Sequence, residues 1–462
     1  MSKNNFEDTI VAISTPVGEG GIGIVRLSGP KALEITGEMF VSRDGKAAPQ
    51  LKTYTIHYGH IVNKANLVDE VIVTVMKAPR SYTKEDVVEI NCHGGIQALK
   101  SVLELAVKRG ARIAEPGEFT KRAFLNGRID LAQAEAVLDM IRAKTEGSLR
   151  AAAGQLEGGL SKKVNQLREK ILDIAAHVEA SIDFPEEDTG IIGEAGIAGR
   201  IDGILSDLKY LLETADEGII LREGILAVIV GKPNAGKSSL MNLLLKRDRV
   251  IVTPVPGTTR DAVEEMICLK GIPIRLVDTA GIADTEDIVG KEGMKRSKKY
   301  LDNSDIALVL FDGSSPIDEA DMGIIRLVDK KKKIAVINKT DLPGRLAKKE
   351  LKESFEDGTI VEISVREKKN IEALEKAIAD MIWSGKIDHG EGALITNVRH
   401  KALVAKALEN ISEVKRGLQK EAAPELISID LKEAVFNLGL VIGKSVSDDI
   451  LDRIFEEFCI GK

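Results

Sequence analysis

Cysteine is scarce in this chain of 462 residues: there are three, Cys92, Cys268 and Cys459. They stand far apart, so they form neither a metal-spacing cluster nor an even-numbered disulfide framework. A reducing cytoplasm is the expected home. Long apolar runs are missing too. None is long enough to span a bilayer, and the start Met1-Ser2-Lys3-Asn4-Asn5 lacks the apolar core of a signal peptide. Nor is there an excess of positive charge. A net charge of −7 and a pI of about 5.7 argue against an extended basic surface, though a local patch could still meet nucleic acid. Internal repeats and low-complexity tracts are absent. What remains is an ordinary soluble composition, 44% hydrophobic and 30% charged. The length implies about two to four domains, because one core rarely grows past roughly 250–300 residues.

The most informative stretch is Gly231-Lys232-Pro233-Asn234-Ala235-Gly236-Lys237-Ser238, which fits the phosphate-binding pattern G-x-x-x-x-G-K-[ST]. The apolar run Ile225 to Val230 precedes it as a strand, and Ser239 to Lys246 follows as a helix. That context aims backbone N–H groups and a helix N-terminus at a polyphosphate. Lys237 can reach the β- and γ-phosphates, and the Ser238 hydroxyl can ligate Mg²⁺. Asp278-Thr279-Ala280-Gly281 follows a later strand. Its Asp can hold Mg²⁺ through water, and the Gly281 N–H can sense a γ-phosphate. Asn338-Lys339-Thr340-Asp341 follows the Lys333 to Ile337 strand. The Asp341 carboxylate can accept both donors of a guanine edge, which adenine does not offer, and Ser364-Val365 can support the base. Each tetrapeptide alone could be a loop or a helix cap. Together, in this order and each at a strand's C-terminal end, they specify a guanine-nucleotide site. The intervening loop Thr253-Pro254-Val255-Pro256-Gly257-Thr258-Thr259-Arg260-Asp261 stands where a switch must sit, and a Thr there can complete Mg²⁺ coordination.

Patterning around this centre predicts a multidomain α/β + α protein. Residues 1–120 read as an α+β domain, with strands at Thr9 to Ser14, Ile22 to Leu27, Tyr54 to Val62, Glu70 to Met76 and Val87 to Asn91, and a helix at Gln97 to Lys108. The glycines from Gly18 to Gly23 are not a dinucleotide fingerprint, since no helix opens after them. Residues 121–220 read as helical, over Leu131 to Ala143, Ser148 to Ala180 and Ile197 to Glu217, with an acidic break at Phe184 to Gly190. Heptads are not sustained. Residues 221–383 alternate strands and helices as a P-loop GTPase (Ras-like) domain. Residues 384–462 return to helices at Arg399 to Lys415, Leu431 to Leu440 and Asp448 to Phe458. The simplest geometry inserts the α/β domain into a helical domain built from two chain segments.

Beyond these motifs the sequence resembles the MnmE (TrmE) family of tRNA modification GTPases along its whole length. The resemblance rests on Thr15-Pro16-Val17-Gly18-Glu19-Gly20-Gly21-Ile22-Gly23, Ser81-Tyr82-Thr83-Lys84-Glu85-Asp86, Pro116-Gly117-Glu118-Phe119, Arg122-Ala123-Phe124-Leu125-Asn126-Gly127 and the terminal Phe458-Cys459-Ile460-Gly461-Lys462. It implies a homodimer joined through a folate-binding-like N-terminal domain, with a FAD-dependent partner, MnmG (GidA), in a heterotetramer. The pair would add an aminomethyl or carboxymethylaminomethyl group to C5 of the tRNA wobble uridine, drawing on a tetrahydrofolate derivative. GTP contacts would come from Asn234, Ala235, Gly236, Lys237, Ser238, Ser239, Thr253, Thr258, Thr259, Asp278, Thr279, Ala280, Gly281, Asn338, Lys339, Asp341 and Ser364. Mg²⁺ would take Ser238 and Thr259.

The family also uses K⁺, matched by Asn234, Thr253, Val255 and Thr258. A K⁺ against the β–γ bridge can supply the charge of an arginine finger, worth roughly 10³–10⁵ in rate. Arg26, Glu85, Arg128 and Lys462 match folate-site positions. Each could instead belong to a surface ion pair. Cys459 is a candidate reactive thiol, with a buried apolar Cys as the alternative. One departure stands out. Where the family carries a Glu that positions the attacking water, ungapped alignment puts Gly290, leaving Glu286, Asp287 and Glu292 as candidates. A different class, a regulatory RNA- or ribosome-associated GTPase switch, would share the guanine motifs but lack the N-terminal module and the Cys-Ile-Gly-Lys end. An ATP-using α/β enzyme is opposed by Asn338 and Asp341.

Overall fold

A computed structural model describes residues 7–43, 45, 48–64, 66–183, 194–248, 264–278, 299–355, 358–382 and 394–462. The chain divides into two compact units. Met1–Leu138, Val164–Leu172 and Lys432–Lys462 form the first, and Asp139–Lys163 and Asp173–Leu431 the second.

The first unit is built on β1 (Ile10–Ile13), β2 (Gly23–Ser28), β3 (Phe40–Ser42), β4 (Thr55–Asn63), β5 (Asn66–Met76), β6 (Val87–Cys92) and β7 (Arg112–Ile113). They form one sheet in the order β3-β4-β5-β6-β2-β1-β7. β1 and β7 run parallel, and the other neighbours are antiparallel. Alternation decides which side chains meet the core. Val25 and Leu27, Val71, Val73 and Val75, and Val88, Ile90 and Cys92 are buried beneath the helix Ile96–Lys108, which adds Leu99, Val102, Leu105 and Ala106. The opposite face at the sheet's centre carries Arg26 on β2, in register with Ala12 on β1 and Glu89 on β6. Ile10, Ala12, Ala114 and Phe119 form a small buried cluster. The last helix, Asp448–Phe455, packs on the helix Glu118–Leu125 through Leu451 and Phe455, which share a buried cluster with Ala123 and Phe124. As the sequence indicated, Gly23 opens a strand and not a helix.

Beyond β6, His93 Nδ1 lies 2.6 Å from Asp69 Oδ1, and the His93 amide donates to Asp69 Oδ2 at 2.9 Å. The hydrogen bond to Asp69, with its negative charge, raises the His93 pKa above the ordinary value. A raised folded-state pKa stabilises the fold below the unfolded histidine value of about 6.5 and ceases to do so as pH rises through the folded value. His93→Ala is therefore expected to lower the melting temperature more at pH 6 than at pH 9. Equal losses at both would contradict it.

The second unit contains β8 (Ile225–Gly231), β9 (Glu264–Leu269), β10 (Ile272–Asp278), β11 (Ile306–Asp312), β12 (Lys332–Asn338) and β13 (Thr359–Glu362). Their order is β13-β12-β11-β8-β10-β9. All neighbours are parallel except the β9–β10 pair. β8 and β11 are near-continuous apolar runs because helices cover parallel strands on both faces. β9 did not emerge from the sequence, since the charged pair Glu264-Glu265 at its start interrupts the apolar pattern. The overlooked signal is Lys270-Gly271, whose φ values of +48° and +86° form a tight hairpin turn.

The helical parts also differ in detail from expectation. The helix expected from Ser148 to Ala180 is two, Glu146–Leu156 and Gly159–Asp183. Gly158 separates them with φ +85°, a helix-ending conformation. The helix expected from Ile197 to Glu217 ends at Glu213 and restarts as Ala215–Glu223. Between them the Thr214 hydroxyl donates to Leu211 O at 3.1 Å, a local bond that competes with the helical ladder. Within this unit Glu194–Glu213 packs against Val398–Gln419. Its buried Ile201, Ile204 and Leu208 and the facing helix's Val404, Ala407 and Ile411 keep helical spacing. The Phe184 to Gly190 break lies outside the described residues.

Candidate functional site

β11 lies on one side of β8 and β10 on the other, so the sheet offers a crevice at the carboxyl end of β8. The Gly231–Ser238 loop occupies that end, and the helix Lys237–Asp248 starts within it. Asn234 has φ +62° and Gly236 φ +102°. This curls the backbone so that its N–H groups can line an anion site. The Lys237 ammonium donates to Gly231 O and Lys232 O, both at 2.9 Å. It is thus held above the loop it would serve. Ser238 and Ser239 are exposed on the helix's first turn, and Asp278 is buried at the end of β10.

Asn338, at the end of β12, is 3% exposed and joins three loops. Its Nδ2 donates to Ala235 O at 2.9 Å, and its Oδ1 accepts the Val365 amide at 3.1 Å. Lys339 donates to Asp312 Oδ2 at 2.6 Å. Burial would raise the Asp312 pKa, but Lys339 and Ser314 together hold it below the usual carboxylate range. Buried Ser364 donates to Asp341 Oδ1 at 2.6 Å, which keeps the Asp341 carboxyl below its ordinary pKa. The result is a fixed, ionised acceptor beyond the carboxyl end of β12. The structure thus brings Asn234, Ala235, Gly236, Lys237, Ser238, Ser239, Asn338, Lys339, Asp341 and Ser364 to one end of one sheet, with Asp278 on the neighbouring strand. Thr253, Val255, Thr258, Thr259, Thr279, Ala280, Gly281, Glu286, Asp287, Gly290 and Glu292 lie outside the described residues.

Lys232 anchors the loop to its surroundings, a role its sequence position did not reveal. Its ammonium bridges Asp318 at 2.8 Å and Asp321 at 2.7 Å. These are the two reciprocal residues that cap the helix Glu319–Leu327. Lys232→Met is expected to speed guanine-nucleotide release by about two- to fivefold, the scale of a partly exposed ion pair. Stopped-flow displacement of a fluorescent GDP reads this directly, and an unchanged rate would contradict the anchoring role.

The first unit holds a second constellation. Arg26 meets Glu89 Oε1 through Nε at 2.8 Å and Nη2 at 2.7 Å, and its Nη1 donates to Gly461 O at 3.2 Å. The Tyr82 ring lies 5.9 Å from the Arg26 guanidinium and 4.6 Å from that of Arg128. Lys462 is half-buried, and burial followed by the Arg26 charge pushes its ammonium below the ordinary lysine pKa. Glu85 accepts from the Ser28 hydroxyl at 2.6 Å, two residues along β2 from Arg26, and from Arg122 at 3.1 Å. Arg26, Glu85, Arg128 and Lys462 therefore surround one corner. Two like cations held close favour an anion there. The tail is seated closely. Gly461 has φ +95°, and a Cβ there would fall 2.4 Å from Ile13 O. Ile460 bridges to Pro116. Cys459 is exposed, so the buried alternative for this thiol does not hold. Sequence reasoning missed Glu89, Tyr82 and Arg122 as members of this corner. The period-2 pattern of β2 and β6 would have pointed to Glu89.

The family model described as "MnmE helical domain" matches residues 131–459, and "GTP-binding protein TrmE N-terminus" matches residues 9–128. A protein named tRNA modification GTPase MnmE from Alkaliphilus oremlandii (strain OhILAs) is 49% identical over 99% of this chain and 100% of its own length. Its namesake from Carboxydothermus hydrogenoformans is 50% identical over 99% of this chain and 100% of its own. Among solved structures, an Aquifex aeolicus Era variant bound to GDP and AlF4⁻ matches 40% of this chain and 66% of that one, at 30% identity and a TM-score of 0.29. With one model spanning most of its length and relatives matched from end to end, the chain belongs to the MnmE family of tRNA modification GTPases.

Proposed function

We propose that this GTP hydrolase is K⁺-dependent and works with a FAD-dependent partner of the MnmG (GidA) kind. Together they add an aminomethyl or carboxymethylaminomethyl group to C5 of the tRNA wobble uridine, using a tetrahydrofolate one-carbon donor. The observation that carries this is similarity along the whole chain, at 49% and 50% identity, and not over the nucleotide-binding part alone. The roles follow from the positions. Lys237 and the loop amides bind the phosphates, and Asp341, steadied by Ser364, selects guanine. Exposed Ser238, together with Thr259, fits the oxygen ligands Mg²⁺ prefers. Exposed Asn234, at φ +62°, fits a K⁺ cage with Thr253, Val255 and Thr258. Bound K⁺ would supply positive charge at the β–γ bridge.

The Arg26–Lys462 pair suits the anionic tail of a folate, while Glu85 can accept from its ring donors and Arg128 closes the corner. Exposed Cys459 is a candidate reactive thiol beside it. The proposed domains are residues 1–120 for folate binding and dimerisation, 121–220 and 384–462 for the helical domain, and 221–383 for the GTPase. The working form is a homodimer in the cytoplasm, joined by its partner into a heterotetramer. Among the described residues, no helix is long and apolar enough to cross a membrane. Titration with 5-formyltetrahydrofolate tests the reading. Saturable binding is expected, and GTP turnover should fall when Na⁺ replaces K⁺. No binding would remove the folate-dependent role and favour a regulatory RNA- or ribosome-associated switch.

A further inference from the structure

We propose that Arg122 is a positioning residue that holds the Glu85 carboxylate in the orientation with which it meets folate. The inference rests on the folate reading of the N-terminal corner. Arg122 sits on the helix Glu118–Leu125, and its residue is 0% exposed, the largest of the fully buried side chains. A buried guanidinium persists only where carboxylates and hydrogen bonds replace its water. Here three carboxylates do so. Nη2 meets Asp8 Oδ1 at 2.7 Å and Glu118 Oε1 at 2.9 Å. Nη1 meets Glu85 Oε1 at 3.1 Å and Asp8 O at 3.2 Å. Arg112 joins from β7, at 2.7 Å from Asp8 and 2.5 Å from Glu118. Asp8 and Glu118 each meet both arginines, whereas among the described residues the arginine at Glu85 is Arg122.

The geometry at Glu85 points the same way. Ser28 and Arg122 approach it from β2 and from the helix, which fixes the plane of the carboxylate. A carboxylate offers about four acceptor sites, so capacity remains for ligand donors. The side chain of Glu85 is 12% exposed, against 0% for Arg122, so the carboxylate is the face that a ligand can reach. Planar, bidentate-capable guanidinium suits this fixing role better than a point-charge ammonium. The two charged chain neighbours of Glu85 bond elsewhere. Lys84 donates to Asn126 O and Gly127 O, and Asp86 accepts from the Ala78 amide.

The test uses full-length Arg122→Lys, Arg122→Met and Glu85→Gln proteins, with 5-formyltetrahydrofolate binding by calorimetry and melting temperatures measured alongside. Arg122→Lys keeps the buried cation but loses the fork, and it carries the test if Arg122→Met does not fold. Its dissociation constant is expected to rise about tenfold, the scale of one charged hydrogen bond. Arg122→Met loses the cation as well as the fork, so it should bind more weakly than Arg122→Lys. A role confined to structure would lower the melting temperature of both variants yet leave affinity as in the parent, and that result overturns the proposal. Glu85→Gln separates the two levels. Weak binding by it alongside parental binding by the Arg122 variants refutes Arg122 alone. Parental binding by Glu85→Gln refutes the folate reading of Glu85 and the proposal with it.

Discussion

Asp341→Asn is expected to lower GTP affinity by roughly 10²–10⁴-fold, the loss of two hydrogen bonds to a charged acceptor at about 1.5–3 kcal/mol each. Xanthosine triphosphate should recover much of the loss. The ionised carboxylate only accepts, and Ser364 fixes one of its oxygens at 2.6 Å. Guanine brings two donors to that acceptor, N1–H and the 2-amino group. An Asn amide keeps one acceptor and adds a donor, which matches the N1–H and the 2-oxo group of xanthine. The preference is therefore predicted to invert and not merely to weaken. Competition between the two nucleotides for a fluorescent analogue measures it. An Asn variant that still prefers GTP would place the base elsewhere.

Gly236→Ala is expected to abolish tight nucleotide binding while leaving most of the protein folded. Gly236 has φ +102°, where an L side chain is strained by about 1–3 kcal/mol. Its new methyl would also fall 2.4 Å from Asn338 Nδ2. That amide is the tie between Ala235 O and the Val365 amide, and orphaning it costs about 1–3 kcal/mol more. Both penalties fall on the phosphate loop and its base-binding neighbour, so the loop is what yields. Gly323→Ala is the matched control. Gly323 lies in the helix Glu319–Leu327, where an added Cβ meets nothing within 4 Å. It should bind GTP as the parent does and gain slightly in stability. Near-parental affinity in Gly236→Ala would show that the clamp does not shape the site.

Much of the nucleotide site was legible because its parts are local. Each motif directly follows an apolar run, and a parallel sheet brings the carboxyl ends of β8, β10 and β12 to one edge whatever lies between. The ties across the site were less legible. Nothing near Asn338 in sequence indicates that its amide would hold Ala235, 103 residues away. The corner of the first unit shows the limit more clearly. An Arg within a short helix reads as a solvated face, and Arg122 becomes a buried hub only because Asp8 and Glu85 arrive from elsewhere in the chain. Lys462 was pointed to by family resemblance alone, since its neighbour Gly461 meets Arg26 across 435 residues. Helix breaks at Gly158 and Thr214 escaped because the apolar spacing continues through them.

The most direct measurement is mass spectrometry of the wobble nucleoside after reconstitution. The protein is combined with its FAD-dependent partner, unmodified tRNA, K⁺, Mg²⁺, GTP, a one-carbon-loaded tetrahydrofolate and ammonium or glycine. Uridine carrying an aminomethyl or carboxymethylaminomethyl group at C5 is predicted, with the yield collapsing when Asp341→Asn is supplied with GTP. A wobble uridine left unmodified in the complete mixture would contradict the proposed function.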